Sequence, residues 1–259
     1  MVRRAARLVN RGLARIGIQI ARYPIPTEFE VDVIQVIRRL GLGCVIDVGA
    51  HDGGFASRLR AIGYQGRIVS LEPTTASYAA LARRAAAAAT WTVLPIGAGR
   101  TSGSAQIHLT ADTTFCSILP ASEFGSSRFE GVRQVGTETI EIRRLDEIWD
   151  QHVGRDPVLL KTDTQGFDLE VIAGAGDRIR DVLAVQIEGM LNPIYRGAPT
   201  LDDTRRELER LGYYLASIAP ISRGTDMRVV ELDTLFLREG ALPLTTVPLR
   251  PETTATPSS

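Results

Sequence analysis

Lysine is almost missing from this chain: of 30 basic residues only Lys161 is a lysine. The scarcity fits a coding bias toward arginine. In that background a retained lysine marks a place needing a compact ammonium rather than a guanidinium fork, or else chance, with equal weight. Cysteine is also scarce. Cys44 and Cys116 are too few for a disulfide framework and have no zinc-site spacing, so a reducing cytoplasm is the expected location. Net charge is missing, with 30 basic against 30 acidic residues, so no global field draws nucleic acid and none is expected as a partner. No apolar run reaches the roughly 20 residues of a bilayer span, and the first residues lack a signal peptide's apolar segment. What is present, 259 residues at 44% hydrophobic and 23% charged, suits one large α/β domain with a proper core.

The most informative stretch is Cys44 to Phe55. Cys44 to Val48 is a short apolar run carrying Asp47, the pattern of a buried parallel strand nearing a sheet edge. Gly49 opens a tight turn, Gly53 and Gly54 allow close backbone approach, and a helical pattern follows from Phe55. Strand, glycine turn and helix predict the nucleotide-binding half of a doubly wound sheet. A dinucleotide fingerprint needs a middle glycine, and Ala50 and His51 stand there instead. The spacing Asp47, Gly49, Gly53, with Glu72-Pro73 closing the next strand, suits an adenosyl group without phosphates. Glu72 stands where a carboxylate takes ribose hydroxyls. A structural glycine turn is the plainer alternative, and the four residues in register weigh against it.

Three segments carry a family resemblance: Asp47 to Phe55, Leu71-Glu72-Pro73, and Leu159 to Ile172 with its Lys-Thr-Asp-Thr-Gln-Gly core. Together they resemble the FkbM family of S-adenosylmethionine-dependent methyltransferases, over about Val45 to Leu237. The resemblance implies an α/β fold with a doubly wound, mostly parallel sheet and a C-terminal antiparallel strand pair. It implies S-adenosyl-L-methionine as cofactor and S-adenosyl-L-homocysteine as product. By the same resemblance the cofactor-binding residues are Asp47, Gly49, Ala50, His51, Gly53, Phe55, Glu72 and Pro73. Ile96 and Gly97 flank the adenine, and Ser117 matches a Ser-Leu element near the cofactor. The chain departs from the family at His51, usually Asn, and at Asp168, usually Glu.

Residues 1–26 form a basic extension, 27–239 the methyltransferase domain, and 240–259 a Pro-, Thr- and Ser-rich tail expected to be disordered. Arginines and apolar residues alternate over 1–22 as in an amphipathic helix. One reading lays this helix on anionic lipid at the inner membrane face. The other, favoured because the apolar face is modest, makes it a cap on the domain or a homodimer contact. Thr27 to Glu30 is a capping box opening a helix that ends at Gly41. Strands are expected at 91–96, 104–109, 137–142, 157–160, 182–187, 212–218 and 229–237, with Gly97 to Gly99 a loop and 110–136 irregular.

Lys161 and Asp163 alternate onto one face at a strand's carboxyl end. Asp47, Asp163 and Glu188 are expected as three carboxylates at one sheet edge, with solvated turn residues as the alternative. Methyl transfer to a hydroxyl needs a base within hydrogen-bond reach. Asp163 is the first candidate and Glu188 the second, with Lys161 orienting the carboxylate; His51 reads as a binding residue. No spacing demands a metal, and a metal-independent enzyme is expected. The expected acceptor is a hydroxyl, most naturally on a glycan or glycolipid sugar, a class that rests on the resemblance. A polyketide or other natural-product hydroxyl, and a non-catalytic adenosyl-binding scaffold, stand as alternatives.

Overall fold

The structure, a computed structural model, describes residues 26–243 except Thr225. In chain order it contains α1 (Glu28–Leu40), β1 (Cys44–Val48), α2 (Gly54–Ala61), β2 (Arg67–Leu71), α3 (Thr75–Ala85), β3 (Trp91–Leu94), β4 (Gly97–Ala98) and β5 (Gly103–Thr110). There follow α4 (Glu123–Arg128), β6 (Gln134–Arg143), α5 (Leu145–His152), β7 (Val158–Thr162), α6 (Asp168–Gly174), β8 (Val182–Met190), α7 (Leu201–Arg210), β9 (Tyr213–Arg223) and β10 (Val229–Arg238). The amphipathic helix expected over 1–22, and the tail from 244 on, lie outside the described residues.

Seven strands form one sheet in the order β3-β2-β1-β7-β8-β10-β9. The first five are parallel, and β10 runs antiparallel to both β8 and β9. This is the doubly wound sheet with a closing antiparallel pair that the sequence predicts. β1 and β7 are buried at every residue, as unbroken apolar runs must be when helices cover both faces. Phe29 and Val33 of α1, Ala56 and Leu59 of α2, and Leu81 of α3 pack on one face. Leu145, Ile148 and Trp149 of α5, Val171 and Ile172 of α6, and Leu208 of α7 fill the other. Strand order reverses between β1 and β7, the switch point at which ligands gather in open α/β sheets.

The capping box of α1 forms as expected: the Thr27 hydroxyl accepts the Glu30 amide, and the Thr27 amide donates to Glu30 Oε2 at 2.7 Å. Three expectations change. Gly97 and Ala98 are not a free loop; as β4 they pair with Ile142 and Arg143 of β6. With β5 they make a second, three-stranded sheet. The irregular stretch 110–136 holds α4 and two 3-10 turns, packed around Ile194 and Tyr195. β8 continues past Ile187 to Met190 because β10 pairs with it as far as Glu231. Glu188 therefore lies inside a strand rather than at its end.

Candidate active site

A cleft of about 270 Å³ opens over the carboxyl ends of β1, β2 and β7. Its first wall is the turn after β1. Gly49 holds φ +73°, and a Cβ there would stand 2.0 Å from the Asp163 carbonyl oxygen, so the turns after β1 and β7 interlock only around a glycine. His51 takes φ +49°, an uncommon left-handed position for a side-chain-bearing residue. Its amide donates to Glu72 Oε2 at 2.9 Å, and its ring Nε2 lies 2.8 Å from Thr113 Oγ1.

Glu72 is nearly buried. Its Oε1 accepts the Thr74 amide and hydroxyl, and its Oε2 accepts His51 N. A carboxylate offers about four acceptor positions, so one remains on Oε2 for a ligand hydroxyl. The facing wall comes from the second sheet: Ile107 of β5, with Ile140 and Ile142 of β6, forms an apolar surface suited to a flat ring. Among the described residues lining the cleft, Lys161 is the one permanent cation, against Asp52, Glu72 and Asp163. That balance suits a neutral nucleoside bearing a positive centre and gives no cradle for a pyrophosphate.

Lys161 sits at the far end, 8% exposed. Its Nζ lies 3.2 Å from Asp47 Oδ1, 3.5 Å from Asp163 Oδ2 and 3.3 Å from the Gly49 carbonyl, and 5.6 Å above the Phe55 ring. An ammonium has three N–H donors, and here three oxygens surround them. Burial works against the charge, but Asp47 and Asp163 outweigh it and hold the lysine pKa above its ordinary value. Asp47 is fully buried. Its Oδ2 accepts Ser70 Oγ at 3.2 Å, while Oδ1 has no aligned hydrogen bond and rests on the ammonium alone. Burial pushes the Asp47 carboxyl up, and Lys161 opposes that push. The Asp163 carboxylate, about a third exposed, faces both Lys161 and Gln165, whose Nε2 donates to Oδ1 at 2.9 Å. Gln165 is held in turn by the Tyr195 hydroxyl, 2.7 Å from its Oε1.

The cleft brings together Gly49, Ala50, His51, Phe55, Glu72, Pro73, Gly97, Lys161 and Asp163 of the residues predicted from sequence. The other five lie off its surface. Asp47 is beneath its floor. Gly53, at φ +83°, caps α2 and packs against Leu81 and Trp91. Ile96 is part of the apolar core. Ser117 is buried; its hydroxyl donates to the Gln165 carbonyl at 2.8 Å and accepts the Leu119 amide, while neighbouring Cys116 and Ile118 face the cleft. Glu188 lies on the sheet beyond Lys161. Burial, then the Asp163 and Glu231 charges, push its carboxyl well above the ordinary range.

Sequence reasoning passed over several contributors. Alternation in β5 and β6 gives the isoleucines a common face, but only the folded chain shows what that face covers. Asp168 organises the turn after β7: its Oδ1 accepts from Thr162, Thr164 N and Thr164 Oγ1, and its Oδ2 from the Gly166 amide. All four contacts of this buried acid stay within the turn, two from threonine hydroxyls and two from backbone amides.

No curated protein matches the chain. The magnesium protoporphyrin IX methyltransferase of Synechocystis PCC 6803, solved with bound SAM, is similar at 12% identity and a TM-score of 0.45, covering 81% of this chain and 77% of that one. Aeropyrum pernix fibrillarin, solved with natively bound S-adenosyl-L-methionine, is similar at 12% identity and a TM-score of 0.44, covering 79% and 74%. The precorrin-6y C5,15-methyltransferase of Geobacter metallireducens GS-15 is similar at 12% identity and a TM-score of 0.40, covering 85% and 93%. These likenesses are too distant to carry an assignment. The methyltransferase FkbM domain matches residues 47–215, well over half of the chain, and includes both the β1 turn and the Lys161–Asp163 block. The chain therefore belongs to the FkbM methyltransferase family, and it is an S-adenosylmethionine-dependent methyltransferase.

Proposed function

We propose that the methyl group goes to a hydroxyl oxygen, on a sugar of a glycan or glycolipid. The observation supporting oxygen as the target is the carboxylate of Asp163, partly exposed at the cleft and fixed from two sides by Lys161 and Gln165. A hydroxyl is a weak nucleophile and gains from a base placed before the bond forms. When bound, S-adenosylmethionine supplies an electrophilic methyl on its sulfonium. Glu72 and the isoleucine wall would hold its nucleoside, and the acid-rich cleft suits its positive charge.

Asp163 accepts the proton of the acceptor hydroxyl as that oxygen attacks. Lys161 and Gln165 hold the carboxylate in place from two sides before the attack, so little reorganisation is left for the reacting complex. Glu188 lies inside β8 and off the cleft surface, so it is not the first base.

The test is methyl transfer from labelled S-adenosylmethionine to a glycoside panel by wild type, Asp163→Asn and Glu188→Gln. Asp163→Asn is expected to lower kcat by roughly 10²–10⁴-fold with S-adenosylhomocysteine binding retained, and Glu188→Gln by far less. Full turnover by Asp163→Asn would remove the base assignment. Methylation confined to amines or thiols would remove the oxygen reading.

A further inference from the structure

Tyr195 stands off the cofactor cleft, 2% exposed, yet its hydroxyl is bonded to a residue that lines it. The hydroxyl lies 2.7 Å from Gln165 Oε1 and 3.0 Å from the Phe115 carbonyl oxygen. Burial, then the charges of Glu188, Glu231 and Asp163, hold the phenol well above its ordinary pKa, so it keeps its proton and donates. Two carbonyl oxygens share that one proton, and the shorter contact is to Gln165. The Phe115 carbonyl alone would satisfy a buried phenol, so the second contact calls for its own account.

Gln165 is the link. Its Nε2 donates to Asp163 Oδ1 at 2.9 Å. A carboxylate only accepts, and an amide has one donating and one accepting end. Turned over, the amide would set its oxygen against the carboxylate. A donor on the far side therefore fixes which end faces Asp163, and Tyr195 is that donor. The Gln165 backbone is held as well. It takes φ +54°, uncommon for a residue with a side chain, and such strain persists only where the surroundings over-determine it. Ser117 Oγ donates to the Gln165 carbonyl at 2.8 Å, and a Cβ on Gly166 would stand 2.7 Å from the Ala198 Cβ. Tyr195 is placed just as firmly. It forms a bridge with Ala121, flanked by the Ser122 amide on the Ile194 carbonyl at 2.8 Å and the Arg196 amide on the Pro120 carbonyl at 2.9 Å. The stretch from Phe115 to Ser122 thus grips both Gln165 and Tyr195.

We propose that Tyr195 is a positioning residue for the methyl transfer: its hydroxyl orients the Gln165 amide, and that amide holds the Asp163 carboxylate at the cleft beside Lys161. The inference rests on Asp163 as the base and adds what sets its geometry. Tyr195 acts through Gln165 and lies off the surface that cofactor and acceptor meet. Asp163 Oδ1 is tied to Gln165 while its Oδ2 lies 3.5 Å from Lys161 Nζ. The ammonium therefore reports any turn of the carboxylate, and Lys161 is the only lysine of the chain.

The experiment uses the full chain with 15N-labelled lysine and reads the Lys161 ammonium by NMR in wild type, Tyr195→Phe, Gln165→Met, the double variant and Asp163→Asn. Each single change at Tyr195 or Gln165 should move the signal toward its position in Asp163→Asn. In the Gln165→Met background the tyrosine change should add nothing, since its route to Asp163 is already cut. Uniform 3-fluorotyrosine labelling, which alters the phenol without removing it, preserves the fold and should move the signal in wild type but not in Gln165→Met. An unmoved signal in Tyr195→Phe or Gln165→Met, or shifts that simply sum in the double variant, would overturn the proposal. In the glycoside assay Tyr195→Phe should lower kcat by roughly 10- to 100-fold, with the KM for S-adenosylmethionine within about twofold of wild type. Full turnover by Tyr195→Phe would overturn the positioning role and leave Asp163 as the base. Full turnover by Asp163→Asn would instead remove the base, whatever the Lys161 signal shows.

Discussion

Replacing Lys161 by methionine should destabilise the fold first and disturb the chemistry second. The lysine compensates a carboxylate that is 0% exposed and has one oxygen without any other partner. Removing one member of a buried ion pair costs about 3–5 kcal/mol because the other charge stays behind. The contact to Asp163 adds little, since that carboxylate is partly solvated and such pairs are worth under about 1 kcal/mol. For a domain of this size each kcal/mol moves Tm by about 2–4 °C, so a fall near 10 °C is expected.

The deficit should depend on pH. Without the ammonium only the Ser70 hydrogen bond opposes the upward push of burial on the Asp47 carboxyl. A folded-state pKa above the unfolded value disfavours the fold once the group must ionise, so the deficit is full at neutral pH and shrinks in acid. Chemical denaturation followed by circular dichroism at pH 5 and pH 7.5 measures this directly. The Asp47→Asn/Lys161→Met double variant should recover most of the loss. A Lys161→Met protein within about 1 kcal/mol of wild type at pH 7.5, or a deficit equal at both pH values, would refute the reasoning. Lys161→Arg should also be poorly tolerated, because a planar fork cannot replace one nitrogen surrounded by three oxygens.

Asp233 makes the opposite case. Burial, then the Asp163 charge, raise its carboxyl to about 6. The folded chain therefore carries a penalty that is absent below pH 4, grows up to about pH 6 and stays above it. Asp233→Asn should gain up to roughly 3 kcal/mol at pH 8 and nothing at pH 4 in the same denaturation assay. Glu72→Ala removes the acidic partner left for a ribose hydroxyl and should weaken S-adenosylhomocysteine by about 10–100-fold in calorimetry. Ser117→Ala breaks the tie between the inserted loop and the turn after β7, and should cost about 1–2 kcal/mol of stability. Since Ser117 lies off the cleft surface, its variant should bind S-adenosylhomocysteine within about threefold of wild type.

What was legible in the sequence follows from range. β1, its glycine turn and α2 are contiguous, so hydrophobic pattern and glycine spacing suffice to place them. Glu72 and the Lys161–Asp163 pair fall at ends of short apolar runs, and parallel strands bring those ends to one edge whatever the register. Ile96 and Ser117 were harder, because adjacency to a motif does not tell which of two alternating directions a side chain takes. β4 was invisible: two residues have no period, and their strand character comes from pairing with β6 some 45 positions later.

The single lysine allows the sharpest test of the central claim, that the adenosyl cofactor lies over the β1 turn with its reacting end against Lys161. Protein carrying 15N- and 13C-labelled lysine has one side-chain ammonium to observe. Saturation with S-adenosylhomocysteine is predicted to shift that resonance, while NAD at the same concentration leaves it unmoved. Bound S-adenosylhomocysteine with no change in the Lys161 signal would contradict the account.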